Sequence, residues 1–500
     1  MEFISNLEIG FASALSPINL LYCFIGCLLG TLIGVLPGLG PAATIAMLLP
    51  ITYTLDPTTS LIMLAGIYYG AQYGGSTTAI LVNLPGEASS IVTALDGHEL
   101  AKQGKAGLAL STAALGSFTA GCIATLVIAL FAPMLADAAL EFGAAEYFSL
   151  MVLGLVASVV LARGSLVKAL GMIIVGLLIG IVGTDGHSGI DRFTFGQLEL
   201  VDGVSLVAVA MGMFGLGEII ENLSQKQPTR AVFSTKLRNM LPTLAELKMI
   251  VAPVLRGTAL GTVLGVLPGG GALISSFAAY ALEKKLAADP KRFGTGAIEG
   301  VAAPESANNA GAQTSFIPML TLGIPSNVII ALMAGALIMQ GIQPGPGIIR
   351  DQPQLFWGLV VSMWIGNMML VILNLPLIGI WVRLLTIPYH FLFPAIMVFC
   401  GIGVYTLAGS TVDLYVLVLF GLIGYAFRKL ECEPAPMLLG MVLGPMMEEY
   451  LRRSLLLSRG DATVFLTRPL SATLLTLAAI AIVAVALPHV RRRRDEALEE

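Results

Sequence analysis

The amino-acid sequence predicts an all-α polytopic membrane protein built from two related halves. Its 500 residues are 56% hydrophobic and only 12% charged, and the mean hydropathy is +0.87, which no soluble core requires. The segment 30–40 reads GTLIGVLPGLG, and 231 positions later the segment 261–271 reads GTVLGVLPGGG. Repeated apolar segments with helix breaks at corresponding positions are typical of transporters that bind a solute between two structural repeats.

Long apolar runs supply the membrane-spanning elements. A transmembrane helix needs roughly 20 predominantly apolar residues, and the chain has many runs of that kind, among them 18–36, 107–135, 355–382 and 470–487. We therefore expect about a dozen helices or half-helices, some of them broken or folded back as re-entrant hairpins.

Basic residues are concentrated in two connections, which indicates the orientation of the chain. By the positive-inside rule, the basic segments 226–238 and 491–494 lie in the cytoplasm. If the acidic N-terminus, with Glu2 and Glu8, is outside, the first repeated segment runs inward and the second runs outward. The two repeats are then predicted to be inverted.

These features divide the chain into four parts. We predict a first transmembrane repeat at 16–222, a basic cytoplasmic linker at 223–248, a second transmembrane repeat at 249–450, and a last transmembrane span with a basic cytoplasmic tail at 451–500. No part is long and polar enough for a soluble domain. In so hydrophobic a chain, the arginine run of the tail indicates a topology anchor, and no nucleic-acid partner is expected.

The first half contains two predicted helix breaks. At Pro37–Pro41 the prolines remove backbone donors and the glycines allow other backbone conformations, so a continuous helix is not expected. Small and hydroxylated residues then interrupt the apolar sequence 68–90 before Pro85-Gly86, as in a re-entrant hairpin. These small residues serve either helix packing or substrate contact, with equal weight. The candidate substrate-binding residues are Pro37, Gly38, Gly40, Gly75, Ser76, Thr77 and Thr78.

The second half repeats this arrangement with more polar chemistry. A break at Pro268–Gly271 precedes the segment 299–326, and Gly323-Ile324-Pro325 forms a third break. Pro304 suits the first turn of a helix, whose free amides and positive dipole end would bind an anion. The candidate substrate-binding residues here are Pro268, Gly269, Gly270, Gly271, Ser306, Asn308 and Asn309.

Glu305 is the candidate for ion coupling. A carboxylate in membrane-like sequence is costly unless it is paired, protonated or bound to a cation. We expect it to act as a Na⁺ ligand or a proton carrier together with Asn309, Gln313 and Thr314, and a Na⁺ site is predicted at Glu305 and Asn309. The alternative is a structural role, in which Glu305 complements a helix start or an internal polar partner.

Motifs for enzymatic chemistry are not found in the sequence. There is no P-loop and no H-E-x-x-H, and the loose dinucleotide-like match at 38–43 contains Pro41, which removes an amide. The four histidines are too dispersed to suggest a ligand cluster, and the five cysteines are scattered through apolar sequence. We predict no enzyme activity and no cofactor other than a coupling ion.

The motifs together resemble those of one transporter family. The paired GTxxGxLPG segments, YGGSTTAILVNLPG with DGHELAKQGKAG in the first half, and EGVAAPESANNA with LTLGIP in the second are similar to the large membrane subunit of tripartite tricarboxylate transporters, the TctA family. The resemblance extends to about Tyr450.

The resemblance implies a multi-pass protein of the bacterial inner membrane. Its partners would be a small membrane subunit and a periplasmic solute-binding protein, and its substrate a di- or tricarboxylate such as citrate, driven by a Na⁺ or proton gradient. Two alternatives remain at this stage. One is a self-sufficient carboxylate carrier without a binding protein, and the more remote one is an intramembrane enzyme.

Overall fold

The computed structural model describes residues 2–36, 40–84, 86–162, 165–224, 242–267, 271–385 and 389–486. These residues form helices almost throughout, and their one sheet is a two-stranded antiparallel hairpin. The predicted fold class is confirmed. The linker residues 225–241, the tail 487–500 and the break residues 37–39, 85 and 268–270 lie outside the described ranges.

The first half contains ten α-helices and the hairpin. The helices before the hairpin are α1 (Glu2–Ala14), α2 (Pro17–Gly34), α3 (Pro41–Tyr53), α4 (Pro57–Val82), α5 (Ile91–Lys102), α6 (Ala106–Ala139), α7 (Ala144–Leu161) and α8 (Leu166–Gly180). The hairpin consists of β1 (Gly183–Thr184) and β2 (Asp191–Arg192). It is followed by α9 (Leu206–Ala210), a π-helical segment (Met211–Leu216) and α10 (Gly217–Ser224), which continue one another.

The remaining described residues form thirteen further α-helices. Those up to the middle of the second half are α11 (Leu244–Gly265), α12 (Gly271–Leu286), α13 (Glu299–Thr314), α14 (Phe316–Leu322), α15 (Val328–Met339), α16 (Gly347–Asp351) and α17 (Pro353–Asn374). The others are α18 (Ile378–Leu384), α19 (Tyr389–Ala408), α20 (Thr411–Lys429), α21 (Pro434–Leu457), α22 (Val464–Thr467) and α23 (Pro469–Ala486). Short 3₁₀ turns lie at Ala88–Ser90, Leu198–Leu200 and Pro290–Arg292.

Several long helices begin on a polar cap followed by proline. The Ser16 hydroxyl accepts a hydrogen bond from the Asn19 amide before α2, and Asp56 accepts one from the Thr58 amide before α4. Proline then occupies the first helical position, where its missing N–H costs nothing.

Among the described residues, six helices are long and apolar enough to cross a membrane: α2, α6, α9 to α10 over Leu206–Leu223, α11, α17 and α20. Six shorter apolar helical segments accompany them. Their number agrees with the predicted dozen spans and half-spans. The runs predicted at 18–36 and 107–135 fall on α2 and α6, and the run at 470–487 falls on α23 as far as residue 486. The run at 355–382 is divided between α17 and α18.

The two halves share a helix pair packed through glycine. On α2 and on α11, glycines four residues apart face the backbone of a second helix so closely that a Cβ would collide with a carbonyl. In the first half these pairs are Gly26–Met63, Gly30–Ile67 and Gly34–Ala71. In the second half they are Gly257–Ala303, Gly261–Ala307 and Gly265–Gly311.

The pairs also show where the two halves differ in length. The glycines are related by 231 positions, whereas their partners on α4 and α13 are related by 240. The difference lies in one connection: residues 54–56 join α3 to α4, whereas residues 287–298 join α12 to α13. The second half therefore carries nine extra residues immediately before α13.

Corresponding helix breaks follow in the two halves. Asn83 ends α4 at φ 55° and Gly323 ends α14 at φ 73°, both in the left-handed region. After each break the chain returns to the helix it has left. The Gly86 amide donates to the Gly75 carbonyl at 3.5 Å, and the Ser326 hydroxyl donates to the Ser315 carbonyl at 2.9 Å. The third predicted break thus lies where expected, as the counterpart of the first-half break at 83–86.

Helix α4 and the corresponding segment of the second half, α13 with α14, run in opposite directions. Tyr68 contacts Phe316 through its ring, and Ser76, two turns further along α4, contacts Glu305, which lies earlier on the other chain segment. Corresponding helices that run antiparallel are what the inverted-repeat prediction requires.

The small residues at 74–78 lie within α4, which is continuous from Pro57 to Val82, and Gly74 lets the end of α2 approach closely at Gly34 and Val35. One local prediction was wrong. Pro304 does not begin a helix, because α13 already starts at Glu299 and includes the proline in its second turn. Glu305 therefore lies in the interior of α13 and not at its N-terminus.

Candidate functional site

Glu305 lies at the centre of a buried polar cluster that joins the two halves. Its Oε1 accepts hydrogen bonds from Ser76 of α4 at 2.7 Å and from Thr93 of α5 at 2.6 Å. Its Oε2 accepts one from Ser117 of α6 at 3.4 Å. The side chain is 1% exposed, and among the ion pairs of the described residues none involves it. Three hydroxyl donors can stabilise a carboxylate but do not neutralise its charge.

The polar contacts continue from Glu305 along the α6–α13 interface, which we call the polar seam. Asn309, one turn further on α13, donates to the Ser117 hydroxyl at 2.6 Å and to the Glu305 carbonyl at 3.2 Å. One more turn along, Gln313 accepts from the Thr125 hydroxyl at 2.5 Å. A small cavity of about 20 Å³ lies beside Glu305, Ser76, Thr77 and Ser117, which is room for one water-sized ligand.

A second carboxylate contacts α13 one turn from Glu305. Glu87, just after the first-half break, accepts a hydrogen bond from Asn308 at 2.7 Å, and Gln72 donates to the Asn308 oxygen at 3.4 Å. Asn308 and Glu305 are one turn apart on α13. The two carboxylates are therefore connected through neighbouring residues of a single helix.

Glu87 lines a cleft of about 1040 Å³ between the halves. The N-termini of α3, at Pro41, and of α12, at Gly271, both line this cleft. Asn327, which caps α15 by accepting from the Ile330 amide at 3.0 Å, lines it too. Each helix N-terminus presents backbone amides without helical acceptors and the positive end of a dipole, and both features favour an anion.

The wide part of the cleft carries charged side chains. Arg428 of α20 is held by Glu218 at 3.2 Å and by Glu221 at 3.0 Å, both on α10. Glu431 and Glu433 also line it. This part of the cleft is richer in carboxylates than in cations.

Of the predicted substrate residues, Gly40 and Gly271 line the cleft, whereas Ser76 and Thr77 line the small cavity beside Glu305. Gly75 packs against Gly86 at the break. Asn308 reaches the cleft through Glu87, and Asn309 lies in the polar seam. The predicted residues Pro37, Gly38, Pro268, Gly269 and Gly270 lie outside the described residues.

Four predicted hydroxyl residues have hydrogen bonds to backbone carbonyls. Such bonds anchor a side chain to its own helix or to a neighbouring one, which suits packing more than ligand binding. The acceptors are Tyr73 for Thr77, Val35 and Gly74 for Thr78, Ala302 for Ser306, and Gly261 and Ala310 for Thr314.

Sequence reasoning missed three residues of the site. Glu87 directly follows the predicted Pro85-Gly86 break, and a charge at that position is a signal that could have identified it. Thr93 and Ser117 carry no such signal, because a single hydroxyl within a helical segment is common in membrane helices and indicates no partner.

A buried aspartate holds α5 against the start of α13. Asp96 Oδ1 accepts hydrogen bonds from the backbone amides of Gly294, Gly296 and Ala297 at 2.8 to 2.9 Å, and its Oδ2 accepts from Tyr280 at 3.0 Å. Asp96 is fully buried. It lies one turn after Thr93, so α5 contacts both the Glu305 carboxylate and the connection that precedes α13.

Comparison with known proteins identifies the family of this chain. Residues 20–439 match the tripartite tricarboxylate transporter TctA family. The chain belongs to the TctA family. It is therefore a member of a family of tripartite transporter components and a multi-pass membrane protein.

Similar proteins are known from Agrobacterium vitis. An uncharacterized 52.8 kDa protein in the TAR-I ttuC' 3' region is 59% identical over 500 residues, which cover 100% of this chain and 99% of the relative. An uncharacterized protein in the TAR-II ttuC' 3' region is 58% identical over 240 residues, 48% of this chain and 99% of the relative. No solved structure matches this TctA-family chain.

Proposed function

We propose that this TctA-family chain is the permease subunit of a binding-protein-dependent secondary transporter that imports di- or tricarboxylates, such as citrate, across the bacterial inner membrane. Its partners are a small membrane subunit and a periplasmic solute-binding protein, and a Na⁺ or proton gradient drives the import. The observation that carries the proposal is the meeting of two helix N-termini, at Pro41 and Gly271, in one cleft.

The helix N-termini support an anionic substrate. Pro41 and Gly271 begin helices at corresponding places in the two halves, and neither helix has an acidic residue in its first turn. A substrate with two or more carboxylates can place one group at each N-terminus, which a monocarboxylate cannot do. The cleft volume of about 1040 Å³ is ample for a citrate-sized molecule.

The buried carboxylates support coupling to a cation. Glu87 lines the cleft that contains the two helix N-termini. Asn308, which donates a hydrogen bond to Glu87, lies one helical turn from Glu305. A carboxylate substrate near Glu87 is repelled unless a proton or a metal cation enters with it. Symport with Na⁺ or H⁺ removes this repulsion and makes uptake dependent on the gradient of that cation.

The proposed orientation opens the cleft to the cytoplasm. Glu218 and Glu221 line it and lie on α10, which leads into the basic linker assigned to the cytoplasm. Glu431 and Glu433, between α20 and α21, line the same part. Ser165, just before α8, also lines the cleft, and the β1–β2 hairpin follows the other end of α8. In this orientation the hairpin faces the periplasm, where a binding protein delivers the solute.

Uptake of radiolabelled citrate and other carboxylates into proteoliposomes tests the proposal. The chain is reconstituted with and without its small subunit and binding protein, under imposed Na⁺ or proton gradients. Gradient-driven uptake that requires both partners supports the tripartite function and identifies the ion. Uptake by the chain alone would instead support a self-sufficient carrier, and no carboxylate uptake with all partners present would refute the substrate class.

A further inference from the structure

Three buried amide side chains lie along the part of the polar seam beyond Glu305, and two of them, those of Gln313 and Asn367, face the same glycine of α6. Asn309 and Gln313 lie one turn apart on α13, and Asn367 lies on α17; all three are at most 1% exposed. Several of their polar atoms have no hydrogen-bond partner, namely Asn309 Oδ1, Gln313 Nε2, and both Nδ2 and Oδ1 of Asn367. Buried polar atoms in proteins are almost always satisfied by protein, water or an ion.

Gly121 provides the space that these amides face. A Cβ built on it would lie 2.6 Å from Asn367 Nδ2, 2.7 Å from Asn367 Oδ1 and 2.7 Å from Gln313 Nε2. The register of α17 against α6 is fixed nearby, because the Trp364 indole donates to the Cys122 carbonyl at 3.0 Å. The Gln313 and Asn367 amides are therefore directed at one point on α6, one turn from Ser117, to which Asn309 donates a hydrogen bond.

Each amide can turn an oxygen toward this point. The Thr125 hydroxyl donates to the Gly121 carbonyl at 2.8 Å, so its oxygen is free to accept a hydrogen bond from Gln313. Rotation of the Gln313 amide by half a turn makes that bond and directs Oε1 at Asn367. Asn309 Oδ1 and Asn367 Oδ1 then complete a set of three amide oxygens around one small space.

Charge favours a cation over a water molecule. The Glu305 carboxylate lies on the same seam, and it accepts hydrogen bonds from the hydroxyl groups of Ser76, Thr93 and Ser117. A cation among the amide oxygens reduces the cost of that buried charge. Neutral oxygen ligands suit a hard monovalent ion, whereas a divalent ion would require carboxylate ligands.

We propose that Asn309, Gln313 and Asn367 form a Na⁺ site separate from the Glu305 carboxylate. Eight residues separate Glu305 from Gln313 along α13, which corresponds to about 12 Å. Asn309 belongs to the proposed site and also donates to the Glu305 backbone carbonyl at 3.2 Å, so it connects the site to the residue that carries the carboxylate. The role of this site in coupling rests on the proposed function. The binding of Na⁺ to the site does not.

Thermal unfolding of the purified full chain in detergent, titrated with NaCl against choline chloride at constant ionic strength, tests this site. Neither carboxylate nor partner proteins are needed, so the result is independent of transport. The variants are Asn367→Ala and Gln313→Ala. Ser362→Ala is the matched control. Ser362 is buried on α17, as Asn367 is, but its hydroxyl already donates to the Leu359 carbonyl and is not part of the proposed site. Glu305→Gln tests the separation of the two sites.

A saturable rise of Tm with Na⁺ is the expected result. It should be unchanged in Ser362→Ala and should persist in Glu305→Gln at a higher half-saturating Na⁺ concentration, because the amide ligands remain but the nearby negative charge is gone. Asn367→Ala and Gln313→Ala should raise the half-saturating Na⁺ concentration by at least about tenfold. A wild-type Tm indifferent to Na⁺ would mean that the space holds only water and would overturn the proposal. The proposal would also be overturned if the Na⁺ dependence of Tm were unchanged in Asn367→Ala. It would be overturned as well if that dependence were lost in Glu305→Gln but kept in Asn367→Ala and Gln313→Ala. Na⁺ binding without any carboxylate uptake would leave this site standing while refuting the proposed function.

Discussion

The Thr93 hydroxyl donates a hydrogen bond of 2.6 Å to Glu305 Oε1 and so connects α5 of the first half to α13 of the second. Both residues are buried. The same carboxylate oxygen accepts from Ser76 on α4. Three helices therefore share one acidic oxygen, and any change in its charge acts on their packing as well as on ligand binding.

Glu305→Gln should alter ion dependence while the protein still inserts into the membrane. The amide keeps the size of the side chain but removes the charge that attracts a cation. Gradient-driven carboxylate uptake should fall by at least about tenfold. Glu299→Gln is the control, since Glu299 lies on the same helix but pairs with the half-exposed Arg292. Unchanged uptake with an unchanged ion requirement would rule out Glu305 as the coupling residue.

Gly261→Ala should destabilise the protein, and Gly30→Ala should do so to a similar extent. In each case the new Cβ collides with a backbone carbonyl, of Ala307 or of Ile67, that belongs to a packed helix and cannot move freely. Overpacking of this kind costs about 1–3 kcal/mol. Gly171→Ala has open space around its Cβ and should be neutral. Denaturant unfolding in micelles measures the differences, and equal stabilities of all three variants would contradict the close packing.

Asp96→Ala should lower the free energy of unfolding by about 3 kcal/mol, because three backbone amides and Tyr280 lose a buried charged acceptor. Asp96→Asn keeps an acceptor oxygen and should cost less. The exposed Asp289 accepts only locally, from the Lys291 amide, so Asp289→Ala should cost less than about 1 kcal/mol. Equal effects of Asp96→Ala and Asp289→Ala would show that the contact contributes little.

Asp185 should remain ionised in acid. The His187 amide and the Ser188 hydroxyl, helped by Arg452 and Arg192, lower the pKa of Asp185 from its ordinary 3.8 to about 2. Because the folded pKa is the lower one, the stability contributed by ionised Asp185 is fully present above pH 3.8 and is lost as the pH falls toward 2. The hairpin should stay paired with Arg452 of α21 over that interval.

Carboxyl ¹³C NMR of labelled aspartate measures this midpoint, with Asp185→Asn providing the assignment. Ser188→Ala should raise the pKa of Asp185, because it removes one donor to the carboxylate. Asp202→Asn lies in the same connection and should leave that midpoint in place. A midpoint at the ordinary aspartate value in the wild type would contradict the hydrogen bonds of this turn.

Ala42→Glu should weaken carboxylate transport by raising the apparent KM. Ala42 lines the cleft in the first turn of α3, where a new carboxylate competes for the helix amides and repels an anionic substrate. Ala42→Gln has almost the same size without the charge and is the matched control. Equal uptake by the two variants would indicate that the α3 N-terminus does not bind the substrate.

Backbone features were largely predictable from the sequence. The repeated glycines and prolines marked the breaks, because glycine allows backbone conformations that other residues rarely adopt, whereas proline fixes φ and removes a backbone donor wherever it occurs. Glu305 was identifiable because a carboxylate in apolar sequence is costly in any surroundings. Pro304 led to the wrong start for α13, because a proline in the second turn of a helix looks in the sequence like a proline that begins the helix. Only the packing against α5, α6 and α11 shows where α13 starts.

Side-chain partners were not predictable. Thr93, Ser117 and Asn367 lie 212, 188 and 62 positions from Glu305 in the sequence, and their contacts depend on how α5, α6 and α17 pack. Asn367 is a single amide in an apolar helix, which resembles many structural asparagines. The sequence therefore indicated the chemistry of the site and one of its carboxylates, whereas the tertiary structure brought the remaining groups together.

The nine extra residues before α13 give the two halves unequal roles. Gly294, Gly296 and Ala297, which Asp96 binds, lie in this longer connection, whereas the first half has only residues 54–56 at the corresponding place. A duplicated protein with identical halves would open to either side of the membrane at equal cost. Here one half carries a contact that the other half lacks. If the proposed transport involves opening toward each side of the membrane in turn, this contact makes the two directions of opening differ in energy, and the length of one loop then sets which state is preferred.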